Sequence, residues 1–223
     1  MIARSLRECT CKVENCTAFR FEVPKNFSVG MRKLFMSAPN LIILGPQGSG
    51  KTTQAELLAK TFGFALLGAG DALREIAQED TELGRKVRQT VNVEGRLVEP
   101  ELISTVIKEK IAAVPKDQGL ILDGYPRSLA QYELFRKFWP ETGRGDDQVV
   151  FIELSDQEAV KRLTKRGRPD DMPAAIRTRL QSFYAETMPM IRAMEADGKV
   201  THIDGARSIE EVQRQIVAAL RRD

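Results

Sequence analysis

The richest chemistry in this chain lies in one short run, Gly45-Pro-Gln-Gly-Ser-Gly-Lys-Thr-Thr53. Gly45, Gly50, Lys51 and Thr52 fit the spacing G-x-x-x-x-G-K-[ST]. Glycines let the backbone curl so that successive N–H groups point inward onto an anion. A helix that starts at the lysine turns its positive end to the same anion. Lys51 adds a point charge for the β- and γ-phosphates of a nucleotide, and Thr52 or Thr53 can offer a hydroxyl to Mg²⁺. A chance match in a chain of this composition is on the order of 1%, so the run is read as a phosphate-binding loop. Alone, such a loop leaves GTPase, ATPase, helicase and kinase open.

Further charged runs narrow the choice: Gly70-Asp-Ala-Leu-Arg-Glu75, Asp123-Gly-Tyr-Pro-Arg127 and Gly167-Arg-Pro-Asp-Asp171. Arginine's planar fork meets phosphate oxygens two at a time. Arg162 and Arg166 stand four apart and so share one face of a helix. Each residue also has a plainer reading. Arg162 and Arg166 could flank a solvated face with Lys161 and Lys165, Asp123 could serve the turn before Gly124, and Asp170 and Asp171 could open a helix before Pro173. Gln131 could close a capping box with Ser128. His202 sits in a strand pattern and reads as structural.

The elements that must position these residues alternate in type. Strand-length apolar runs occur at Leu41–Leu44, Phe64–Leu67, Leu120–Leu122, Val149–Leu154 and Val200–Ile203. Runs this continuous suit parallel strands covered on both faces. Helical stripes lie between them, with Ala55, Leu58, Ala59 and Phe62 in one and Ile209, Val212, Ile216 and Leu220 in another. Ser155 with Glu158 and Ser208 with Glu211 read as capping boxes. The alternation predicts a doubly wound α/β domain.

Composition excludes other classes. The 223 residues carry 42% apolar and 29% charged side chains, the profile of a globular domain, and no apolar run approaches the ~20 residues of a membrane span. The net charge is +3. The first 38 residues hold seven of the 34 basic side chains and three of the 31 acidic ones, which leaves 27 against 28 in the body. By charge the body is not a nucleic-acid binder, so any anion site in it is local. All three cysteines, Cys9, Cys11 and Cys16, lie in the head. They lack a fourth metal ligand. Residues 1–38 fit neither a secretory nor a transit signal and are expected to be a disordered extension or a stretch not made in the cell, with Met31 and Met36 as alternative starts.

Taken together, GPQGSGKTT, GDALRE, DGYPR and GRPDD resemble the adenylate kinase family of nucleoside monophosphate kinases, from about Leu41 to about Leu220. The resemblance implies reversible phosphoryl transfer from MgATP to a nucleoside monophosphate on a P-loop α/β fold. That fold has a five-stranded parallel sheet, an acceptor-binding insert at about 68–98 and a lid at about 166–170 within a domain spanning 39–223. It implies ATP contacts from Gly45, Pro46, Gly48, Ser49, Gly50, Lys51, Thr52, Thr53, Arg162 and Gly205. Acceptor contacts fall to Ala69, Gly70, Arg74, Leu97, Val98, Gly124, Arg127, Gln131, Arg168 and Arg179. Lys51, Asp123, Arg127, Arg166, Arg168 and Arg179 surround the transferring group, Asp123 (through water) and Thr52 hold Mg²⁺, and Asp170 and Asp171 assist lid closure. No general base is called for, because the attacking phosphate oxygen is already anionic. A cytoplasmic monomer with ATP and AMP as partners, and with neither nucleic acid nor membrane, is expected.

Three departures from that family bear on detail. Thr52 stands where the family has glycine. Gly68-Ala69-Gly70-Asp71 replaces Ser-Thr-Gly-Asp, as in relatives that phosphorylate UMP and CMP, so Ala69 points to a relaxed or pyrimidine acceptor while Gln131 points to adenine. The lid is very short, with only Gly167 between Arg166 and Arg168. It has no room for a long β-lid or a four-cysteine zinc lid, so no structural zinc is expected.

Overall fold

The computed structural model describes residues 39–94, 96–167 and 171–220. The extension 1–38 with its cysteines, and the expected site residues Arg168 and Asp170, lie outside the described residues.

Five strands form one parallel sheet: β1 (Asn40–Leu44), β2 (Ala65–Gly68), β3 (Leu120–Asp123), β4 (Asp147–Glu153) and β5 (Val200–Asp204). Their order is β2-β3-β1-β4-β5. The helices are α1 (Lys51–Phe62), α2 (Ala69–Gln78), α3 (Glu82–Arg88), α4 (Pro100–Ala112), α5 (Leu129–Phe138), α6 (Asp156–Arg166), α7 (Pro173–Ser182), α8 (Met188–Ala196) and α9 (Ile209–Ala219). π-helical stretches follow α3 (Gln89–Glu94) and join α7 to α8 (Phe183–Thr187). No helix among the described residues is long and apolar enough to cross a membrane.

Period-two alternation divides the core. Ile42 and Leu44 of β1 pack with Leu120, Leu122, Val149 and Phe151 under α4, α5 and α8. Leu41 and Ile43 face the other way and join Ile121, Val150, Ile152 and Ile203 under α1 and α9. Successive side chains on a strand point to opposite faces, so β1 and β3 are buried end to end. The edge strands β2 and β5 are only partly covered, because each lacks a neighbour on one side. A third, small cluster ties α6 to α7 through Ala159, Leu163, Ile176 and Leu180.

Both expected helical stripes form, with one exception. Val212, Ile216 and Leu220 are buried, whereas Ile209 is 53% exposed. Ile209 is the first residue of α9, ahead of the turn that meets the sheet. The Ser208–Glu211 capping box is complete. At Ser155 the hydroxyl accepts from the Glu158 N–H, but the Glu158 carboxylate turns instead to Arg162 and Lys161. An ion pair there outweighs closure of the box.

Parallel pairing sets the site. β1 lies between β3 and β4, with Ile43 opposite Asp123 and Leu44 opposite Phe151. The loop after β1 and the carboxylate ending β3 therefore emerge side by side. β1 is where the chain's progression across the sheet reverses, and a crevice opens at the carboxyl ends of strands at such a point.

At the opposite end of the sheet, Arg144 acts as a clamp. Its guanidinium donates to the carbonyls of Gln118, Val114 and Pro115 at 2.8–2.9 Å, and desolvation lowers its pKa from the ordinary arginine value. Those carbonyls end α4 and start the turn into β3. Replacement by Met leaves several buried acceptors unpaired, which costs on the order of 2–4 kcal/mol. Urea unfolding of Arg144→Met should show a lower midpoint at unchanged slope, with catalytic constants at wild-type values. An unchanged midpoint would remove the clamp from the account.

Candidate functional site

The loop after β1 runs into α1 through Gly50, whose φ of 91° lies in the left-handed region that a side chain disfavours. Gly50 brings no side chain to cap α1, so the N–H groups of the first turn are left for a ligand. Ser49 and Pro46 are buried within the loop, and Thr53 opens α1 on the cleft side. The cleft in front of the loop has a volume of about 670 Å³. It is lined by every expected site residue among those described, except Pro46 and Asp171.

Three groups meet beside the loop. The Thr52 hydroxyl donates to Asp123 Oδ2 at 2.6 Å. Lys51 Nζ donates to the Pro46 carbonyl at 2.8 Å. Burial pushes the Lys51 ammonium down from 10.5 to about 8; Asp123 opposes that shift, while Arg127 and Arg166 add to it. The hydroxyl and carboxylate are hard oxygen donors of the kind Mg²⁺ takes, and two protein oxygens leave room for the phosphate oxygens and waters that Mg²⁺ retains. The residues present fit a magnesium ion arriving with a polyphosphate.

Four arginines surround the same space. Arg127 Nε donates to the Gly124 carbonyl at 2.6 Å, and desolvation, with Arg74 and Arg179 adding repulsion, lowers its pKa from the ordinary value. Arg162 donates to Glu158 and to the Gly205 carbonyl, both at 3.0 Å. Arg166 grips Asp171 through two bonds, 2.8 and 2.7 Å. Arg179 stands 3.8 Å from the same carboxylate and donates to Gln47 at 3.4 Å. Asp171 does not start the helix before Pro173 as a cap; its side chain is 1% exposed and holds two arginines in place. Arg162 and Arg166 share a helix face and both reach the cleft. Gly205 is fixed by space: a Cβ there would lie 2.6 Å from the Glu153 carbonyl oxygen.

The far end of the cleft is built by α2, the Leu97–Val98 stretch and the loop after β3. Arg74 pairs with Asp71 across one turn of α2. Ala69 and Gly70 form the start of that helix and carry no hydroxyl. Gln131 does not close a capping box. Its backbone N–H goes to Ser128 Oγ, and its side-chain oxygen accepts from the Arg127 N–H at 2.7 Å. Its amide nitrogen carries two N–H donors, and its oxygen keeps a second lone pair. The loop that carries Arg127 and leads into the helix of Gln131 is anchored by Tyr125, whose hydroxyl donates to Ser104 at 2.8 Å and whose pKa burial raises to about 12.

Three contributors were not legible as site residues. Gln47 meets Arg179, Thr187 donates to the Arg127 carbonyl at 2.8 Å, and Gln54 donates to the Ile209 carbonyl at 2.9 Å. Gln54 left a trace, because it is a polar residue beside the apolar stripe of α1. Gln47 and Thr187 left none, since their partners are far away in the chain.

Comparison with known proteins agrees with this geometry. Residues 43–199 match the protein-family model described as Adenylate kinase. An adenylate kinase of Maricaulis maris (strain MCS10) is 37% identical over 185 residues, covering 81% of this chain and 98% of that protein. Adenylate kinase 1 of Nostoc sp. (strain PCC 7120) is 37% identical over 180 residues, covering 81% and 97%. An adenylate kinase of Prochlorococcus marinus is 36% identical over 180 residues with the same coverage.

The depressed Lys51 pKa has a measurable sign. An anion raises the lysine's pKa on binding, so binding favours the protonated form. Affinity is then full below pH 8 and falls as pH rises through 8, by up to about tenfold per unit. Calorimetry of nucleoside triphosphate binding should show proton uptake at pH 9 and little from Lys51 at pH 7. Equal uptake at both values would refute the assignment.

Proposed function

The chain belongs to the adenylate kinase family, and from that premise we propose that its cleft carries out MgATP + AMP ⇌ 2 ADP through the residues just described. The chain is a phosphotransferase of the class that acts on nucleoside monophosphates. The observation that carries the site assignment is convergence: Lys51, Arg127, Arg162, Arg166 and Arg179 line one cleft with the loop at one end and Arg74 and Gln131 at the other.

That layout suits two anionic substrates meeting in line. The loop N–H groups and Lys51 hold the β- and γ-phosphates of ATP. Arg162 lies along the donor side, between α6 and Gly205. Arg74 and Arg127 take the acceptor phosphate. Arg166 and Arg179, both held by Asp171, flank the group in transfer, and the resemblance adds Arg168. Phosphoryl transfer needs position and neutralised equatorial charge more than covalent help, and fixed guanidinium groups supply both. Mg²⁺, when bound with ATP, neutralises charge on the β- and γ-oxygens. Thr52 and Asp123 are the residues that would hold it. Asp170 with Asp171 would draw the short lid over the phosphates, and its brevity leaves water exclusion to loop closure. A cytoplasmic monomer belongs to the same proposal and is supported by the family resemblance.

Gln131 supports adenine as the acceptor base. The bond from the Arg127 N–H fixes the orientation of its amide, which presents N–H donors and keeps a second lone pair on the oxygen. Adenine N1 and cytosine N3 are acceptors; guanine N1 and uracil N3 carry hydrogen. An amide that donates to N1 and accepts from the neighbouring exocyclic amino group matches adenine, and cytosine through N3 and its amino group, better than guanine or uracil, and the relatives named adenylate kinase favour AMP over CMP. Ala69 lacks a contact worth roughly 0.5–1.5 kcal/mol, too little to reverse that preference.

A coupled transfer assay with MgATP and each of AMP, CMP, UMP, GMP and dTMP tests the reading. AMP should lead, and Gln131→Ala should lower kcat/KM for AMP roughly 10- to 100-fold. Preference for UMP would overturn the acceptor assignment, and no transfer to any acceptor would overturn the function. Thr52→Val keeps the shape but loses the hydroxyl. It should raise the Mg²⁺ concentration needed for half-maximal rate several-fold, and an unchanged Mg²⁺ titration would exclude Thr52 as a holder of the ion.

A further inference from the structure

Gln54 is 2% exposed and sits between α1 and α9. The surroundings are apolar: Ala55 and Leu58 on one helix, Val212 and Ile216 on the other. Its amide nitrogen donates to the Ile209 carbonyl at 2.9 Å. Its amide oxygen is buried with no hydrogen-bond partner among the described residues. A buried acceptor left unpaired destabilises a fold, and an apolar residue of the same size would suit a helix–helix seam better. Something other than packing is served by a glutamine there.

The place of Ile209 supplies the reason. Its carbonyl belongs to the first turn of α9, and its side chain lines the cleft at 53% exposure, an unusual position for a large apolar residue. Gly205, Ser208 and Val212 line the same cleft, and Arg162 donates to the Gly205 carbonyl at 3.0 Å. Gln54 is three residues beyond Lys51 on α1. One hydrogen bond thus connects the helix that carries the phosphate loop to the wall beyond it. We propose that Gln54 is a positioning residue for the donor nucleotide, setting the Ile209 wall at a fixed distance from the phosphate loop so that the donor base packs on Ile209 while its phosphates sit on the loop. This rests on the reading of the cleft as a kinase site with ATP at the loop.

The test is Gln54→Met, which keeps the length and removes the donor. Its thermal midpoint should equal or exceed that of the wild type, because the unpaired oxygen goes with it. KM for ATP and the Kd for ATP measured by calorimetry should rise roughly three- to tenfold, the value of one lost buried hydrogen bond. KM for AMP and the Kd for inorganic tripolyphosphate, which has no base, should stay at wild-type values. A fall in midpoint with unchanged ATP affinity would make Gln54 a structural strap and overturn the proposal. So would equal losses for ATP and tripolyphosphate, since the effect would then lie in the loop. The ATP and tripolyphosphate titrations need no turnover, so failure of the wild type to phosphorylate AMP would count against the kinase reading alone.

Discussion

Like charges must be kept close together before their ligands arrive, and the rest of this structure is arranged around that demand. Lys51, Arg74, Arg127, Arg162, Arg166 and Arg179 share one cleft, and each is tethered to a partner within the protein. Lys51 rests on a loop carbonyl, Arg127 on Gly124, and Arg162 on Glu158 and Gly205. Arg74 has Asp71, while Arg166 and Arg179 share Asp171. Unpaired buried cations are costly, so the tethers hold the cluster in the folded state. Several are carbonyls rather than carboxylates, which leaves the net field positive and open to phosphate.

The parallel sheet makes that arrangement possible. It delivers the loop from β1, Asp123 from β3 and the Glu153–Leu154 turn from β4 to the same edge, with spacing set by register. The helices then bring the arginines in from the sides. Two of the positioning contacts join segments remote in the chain: Thr187 to Arg127, and Gln54 to Ile209. Both fasten a side chain or wall of the cleft to an element already fixed by the core.

The parts that were legible in the sequence are those with local signals. The five strands follow from continuous apolar runs, the two helix stripes from periodicity, and the loop from glycine spacing. The edge strands were harder to read, because an apolar run does not say whether it lies at the centre or the margin of a sheet. Gln131 allowed two readings, and the structure shows a third contact, with Arg127. The role of Asp171 was stated through the family as lid closure, whereas its grip on Arg166 and Arg179 depends on the chain folding back through α7. Gln47 and Thr187 could not be found because single polar residues carry no period, and Gln54 showed only as a polar residue beside the apolar stripe of α1.

The small cluster of Ala159, Leu163, Ile176 and Leu180 has a consequence for how charge enters the cleft. It joins α6 to α7 without drawing on the two large cores, and this pair of helices carries Arg162, Arg166 and Arg179. The seam sets the spacing of the two helices, so the three guanidinium groups stand at fixed separations as one trivalent patch. The field of that patch is the sum of three charges, and ionic strength screens such a sum more steeply than it does one arginine alone.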